Sequence, residues 1–101
     1  MKTFGWILLL AALPMIAIAQ EAHFIVQKGR RFSAAEITIH RGESLTFTND
    51  DEFIHQMYVD GLFDSEEKEP GQNLTEPFTR QGTFEVHCHI HPKMKLVVHV
   101  N

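Results

Sequence analysis

Between His23 and Val100, apolar residues recur at every second position in several short segments, and this alternation is the strongest constraint on the fold. Successive side chains of a strand point to opposite faces, so a period of two marks half-buried strands. Amphipathic helices instead need apolar residues three and four apart, and no such run follows residue 22. The pattern predicts strands over 23–27, over 36–40 with Ile37 and Ile39 inward, and over 45–49 with Leu45 and Phe47 inward. Further strands are expected over 53–59, over 74–79, where Pro77 favours an edge position, and over 83–88. Leu96, Val98 and Val100 form the inward set of a last strand. Gly29-Arg30-Arg31, Arg41-Gly42, Asn49-Asp50-Asp51-Glu52 and Gln81-Gly82 are turns, and 60–71 is a long acidic loop with at most a short edge strand. About seven short strands separated by turns describe an all-β fold, an antiparallel sandwich or barrel.

The first nineteen residues are of another kind. Lys2, an apolar run from Phe4 to Ile18 and the ending Ala17-Ile18-Ala19 fit a cleavable export signal. The run falls short of the roughly twenty residues that span a bilayer, and Pro14 interrupts it. Residues 1–19 are therefore read as a leader and 20–101 as one domain, placed in the periplasm or outside the cell. The net charge is −4, which loss of Lys2 takes to about −5, and no basic run exists, so nucleic acid is not an expected partner.

The domain holds a single cysteine, in His87-Cys88-His89-Ile90-His91-Pro92-Lys93-Met94. It ends the 83–88 strand on the face that carries Phe84 and Val86, so its sulfur should enter the core at one end of the sandwich. A lone thiol in an oxidising compartment cannot form an internal disulfide, and binding a metal would protect it. Cys88, His91 and Met94 follow Cys-x-x-His-x-x-Met, which puts a thiol, an imidazole and a thioether on one short loop. These are soft and borderline donors. One thiolate and two neutral imidazoles with a weak axial methionine make the blue-copper arrangement. A second histidine must come from elsewhere in the chain, which has seven. Structural zinc would call for more Cys or His and no Met. A two-copper centre would need a second cysteine. The His-Cys-His run is also found in multicopper oxidases, but those need several domains.

The loop resembles the copper loop of the cupredoxins, and within them the amicyanin and plastocyanin type. Gly82-Thr83-Phe84-Glu85-Val86-His87-Cys88 is similar to the last core strand of that family. Phe47-Thr48-Asn49-Asp50-Asp51 followed by Ile54-His55-Gln56 resembles its Asn-x-Asp…His segment. The resemblance implies a Greek-key β-sandwich and one copper ion held by His55, Cys88, His91 and Met94. It makes His91 the ligand nearest the surface, ringed by Ile90, Pro92 and other apolar residues. Two positions depart from the pattern. Gln56 stands where relatives commonly have an Asn that ties the two ligand loops, and Leu96 stands near a common Gly.

The implied function is a soluble, monomeric one-electron carrier between redox protein partners, not an enzyme, with no membrane span once the leader is removed. An alternative is a copper carrier that hands over the ion, to which His87 and His89 lend support. A third is a metal-free binding sandwich. Asp60, Asp64, Glu66, Glu67 and Glu69 read as a solvated loop; the sharper reading is steering toward a positively charged partner. Asn73-Leu74-Thr75 matches a glycosylation sequon, a short and frequent pattern.

Overall fold

The structure is a computed structural model that describes residues 22–101; the expected leader, 1–19, lies outside the described residues. Nine strands follow in order: β1 His23–Lys28, β2 Arg31–Phe32, β3 Glu36–Ile39, β4 Ser44–Asn49, β5 Met57–Val59, β6 Phe63–Asp64, β7 Asn73–Pro77, β8 Gly82–Cys88 and β9 Lys95–Val100. They form one sheet in the order β2-β1-β4-β7 and another in the order β3-β9-β8-β5-β6. No helix occurs among the described residues. The all-β expectation holds, with β7 and its Pro77 at a sheet edge. The count exceeds seven because the two-residue strands β2 and β6 have no sequence periodicity of their own.

The sheets are mixed, not purely antiparallel. β1 runs parallel to β4, and β3 runs parallel to β9. A parallel pair needs a long crossover. The chain makes one by leaving the first sheet after β2 and adding β3 to the second before returning as β4.

The inward residues of both sheets meet in one core. Leu45, Phe47, Met57, Phe78, Val86, Leu96 and Val98 are all fully buried, and Cys88 is 2% exposed at the end of β8. Leu96, the position of concern in sequence, is an ordinary core residue. Phe32 meets Phe47 edge-on at 6.0 Å between ring centroids, a favoured aromatic geometry.

The β1–β2 hairpin is closed by Gly29 and Arg30, both at positive φ, 62° and 55°. Two left-handed residues make the type I′ turn that matches strand twist. Glycine adopts that conformation freely, but arginine does so at a cost of order 1 kcal/mol. Something must hold Arg30 there, and that contact lies at the candidate site.

The 53–59 segment is a strand only over Met57–Val59. The buried side chain of Asn49 explains the difference: its Nδ2 donates to the carbonyls of Phe53 (2.8 Å) and Lys68 (2.9 Å), pulling 50–54 into a loop. Its Oδ1 accepts from the Asp51 N–H at 2.9 Å. His55 is then held by two backbone bonds to Lys68, 3.0 and 2.7 Å.

Candidate metal centre

Two loops at one end of the sandwich, 49–56 and 88–94, carry the four expected residues. Cys88 arrives by strand alternation and pairs with Met57 across the β5–β8 ladder. His55 arrives through the Asn49 loop and is fully buried. Its Nδ1 lies 3.7 Å from Cys88 Sγ. The sulfur also accepts from the Gln56 N–H at 3.5 Å. His91 stands edge-on to His55 at 5.0 Å between ring centroids and to Phe53 at 5.9 Å. Met94 is 2% exposed, and its N–H donates to the His91 carbonyl at 3.0 Å, closing the short turn between them. The most exposed of the four is His91, in keeping with its expected place at the surface.

The loops are tied by backbone. The His89 N–H donates to the Gln56 carbonyl at 2.8 Å, beside the Gln56 N–H bond to sulfur. The Gln56 side chain does not make this tie; its Nε2 donates to the Ser65 carbonyl at 3.0 Å.

Asp51 is the residue that the sequence reading missed. Its carboxylate accepts the backbone N–H of Gly29 (2.7 Å) and of Arg30 (2.9 Å), and it meets His55 Nε2 at 2.8 Å. Burial pushes this carboxyl upward, but the donors from Arg30, His55 and Gly29 outweigh it and hold the group below the usual carboxylate range. An ionised carboxylate only accepts, so Nε2 of His55 is the donor in this contact. Nδ1, left as the acceptor nitrogen, faces the Cys88 thiol at 3.7 Å. One carboxylate thereby fixes the tautomer of His55 and holds the strained tip of the β1–β2 hairpin. In sequence it stood in a turn and as the Asp of the Asn-x-Asp…His segment, four residues before the His, but with no role of its own.

Burial lowers the pKa of His91, and the nearby His55 and Arg30 reinforce this against the Ile54 carbonyl and Asp51. The shift favours the neutral imidazole, the form that a ligand must take. Its Nε2 is buried and makes no hydrogen bond. An orphaned buried nitrogen costs about 1–3 kcal/mol, which coordination would relieve. As the side chains stand, no three His, Cys, Asp or Glu among the described residues already surround a common point as metal ligands. The donor set nevertheless fits copper: a buried thiol facing a bare imidazole nitrogen, a second neutral imidazole alongside, and a buried thioether on the same turn.

The other histidines turn elsewhere. His87 pairs with Glu85 at 3.1 Å, and His89 pairs with Asp64 at 3.0 Å. His89 also stacks on Tyr58 at 4.1 Å. His23 and His99 sit beside Glu43 and Glu36, and His40 is exposed.

An Asp51→Asn substitution tests the buried carboxylate. It places an N–H₂ among N–H donors and releases the tautomer of His55. Copper affinity, measured by chelator competition, is expected to fall at least tenfold, within the roughly 10–100-fold range for such supports. Unchanged affinity would contradict the assignment.

No protein-family profile matches the sequence, and no curated protein matches it. Solved structures do match in shape. A purple cupredoxin from Nitrosopumilus maritimus superposes with a TM-score of 0.73 at 22% identity, over 78% of this chain and 99% of that one. A mutant of amicyanin in its Cu(I) form gives 0.74 at 21% identity, over 84% and 87%. A copper-containing nitrite reductase from Thermus scotoductus SA-01 gives 0.72 at 23% identity over 80% of this chain, which spans 22% of that larger one. Similarity at this level of identity establishes architecture. The described chain is cupredoxin-like: it has the cupredoxin fold.

Proposed function

We propose that the protein is an exported type 1 copper protein that carries single electrons between redox proteins. His55, Cys88 and His91 would hold the ion, with Met94 as a weaker fourth donor. The observation that carries this reading is the buried approach of Cys88 Sγ to the bare His55 Nδ1, from two separate segments, at 3.7 Å. The likenesses are to an amicyanin in its Cu(I) form and to a copper-containing nitrite reductase, which supports the same reading.

Bound copper would supply a one-electron Cu(I)/Cu(II) couple. The chain's contribution is a fixed, dry frame. Cys88 and His55 are held by strand β8 and by paired backbone bonds, so neither needs to move far between oxidation states. Asp51 keeps Nδ1 of His55 free, and the neutral state of His91 needs no proton release. His91, reaching the surface, is the exit route. Four protein donors leave no position for substrate, so the reading is a carrier and not an enzyme. Residues 1–19, as an export signal, place it in the periplasm or outside the cell; no helix among the described residues is long and apolar enough to cross a membrane.

The copper-carrier alternative drew on His87 and His89, which are instead paired with Glu85 and Asp64. Voltammetry of the copper-loaded protein separates the two readings. A reversible one-electron couple is expected, and rapid loss of the ion without such a couple would favour the carrier. Met94→Leu should keep copper bound and raise the potential by on the order of 60 mV, tenfold in a one-electron equilibrium. An unchanged potential would make Met94 packing only.

A further inference from the structure

Next to His91 lies an open groove of about 480 Å³ lined by Arg30, Arg31, Ile90, His91, Pro92, Lys93 and Met94. It carries three of the chain's nine Lys and Arg residues and no carboxylate, although the whole chain has a net charge of −4. Among the described residues five large apolar side chains are exposed, and three of them, Phe53, Ile54 and Ile90, belong to the two loops around His91. Phe53 touches His91 edge-on, and the Arg30 guanidinium lies 4.2 Å over the Phe53 ring. The basic rim and the apolar patch are thus one surface. Asp51, below it, is engaged by Gly29, Arg30 and His55. Asp50 and Glu52 are exposed on the adjoining loop, but neither lines the groove. None of Asp60, Asp64, Glu66, Glu67 and Glu69 lines it either.

We infer that this groove docks an electron-transfer protein that surrounds its own apolar contact patch with carboxylates. The inference rests on reading His91 as the electron exit, and it gives the partner's charge the sign opposite to that suggested by the acidic loop. Complementary charge raises the encounter rate and fixes orientation, while the apolar centre supplies contact. A membrane surface is a poorer fit, since lipid-binding basic clusters commonly hold four to eight cations and this one has three.

The test is an amide chemical-shift titration of the full-length protein, metal-free and copper-loaded, with two small soluble c-type cytochromes, one acidic and one basic. The acidic probe should shift residues 30, 31, 53, 54, 90 and 91, with affinity falling about tenfold or more between roughly 20 and 200 mM salt. The double variant Arg31→Glu with Lys93→Glu should weaken binding at least tenfold while leaving the fold and any copper spectrum intact. Arg30 is spared because its backbone holds the hairpin tip. Shifts that are absent or lie elsewhere, an equal response to the basic probe, unaltered binding by the double variant, or binding to anionic vesicles in place of the cytochrome would each overturn the inference. Because shifts are read without metal, failure to form a copper centre and failure to dock are separate results.

Discussion

A Cys88→Ser protein is expected to lose the intense visible absorption of the copper-loaded form completely, while its far-ultraviolet circular dichroism stays that of the intact sandwich. The absorption requires a thiolate bonded to Cu(II), and a serine hydroxyl stays protonated at neutral pH and is a much harder donor. The site should survive the exchange because the change is nearly isosteric. Burying a hydroxyl in place of a thiol costs about 1–3 kcal/mol when it has no partner, but here the Gln56 N–H, 3.5 Å from the sulfur, is available to it. An absorption band that persisted in the variant would place the chromophore away from Cys88. Loss of the fold would show that this side chain packs more tightly than its position at the end of β8 implies.

The second large effect is on stability. Phe47 is fully buried on β4, which pairs with β1 on one side and β7 on the other. Removing such a ring costs about 3–5 kcal/mol through lost burial and the cavity left behind. A domain of this size has roughly 4–12 kcal/mol in total, at 0.05–0.15 per residue. Phe47→Ala should therefore remove about a quarter or more of the stability of the metal-free protein, read as a lowered urea midpoint at unchanged slope. Copper must be absent, since a ligand that binds only the native state would mask the loss. The effect should extend to the site, because Asn49, two residues along the same strand, organises the loop that carries Asp51 and His55. A loss below about 1 kcal/mol would mean that the core tolerates the cavity, against the packing described.

The strands were legible where they are half-buried and long. Alternation placed β4, β8 and β9 with their inward faces, and it put Cys88 in the core, because all of this depends only on side-chain direction along one strand. It could not distinguish parallel from antiparallel neighbours, since the period is two in both, so the β1–β4 and β3–β9 pairings were invisible. Residues 53–56 read as strand by composition and became loop because Asn49 captures the Phe53 carbonyl, a non-periodic contact. At the site, the sequence named Cys88, His91 and Met94 by spacing and His55 by resemblance. The structure brings His55 to the sulfur and His91 beside His55. Asp51 was legible only as part of a motif and Arg30 only as part of a turn, because their roles arise when the β1–β2 hairpin folds back onto the 49–56 loop. The charge of the surface at His91 was likewise not legible, since the groove is lined by Arg30, Arg31 and Lys93 from two segments far apart in sequence, while the acidic run at 60–69 lies outside it.

The most direct test of the account is the optical and paramagnetic-resonance spectrum of the purified protein with one equivalent of Cu(II). The arrangement of Cys88 and His55 with His91 and Met94 predicts an intense visible thiolate-to-copper band with the narrow hyperfine splitting of a type 1 centre. A weak absorption with the wide splitting of tetragonal nitrogen and oxygen ligation would contradict it, and would mean that copper sits on surface histidines and not between the two loops.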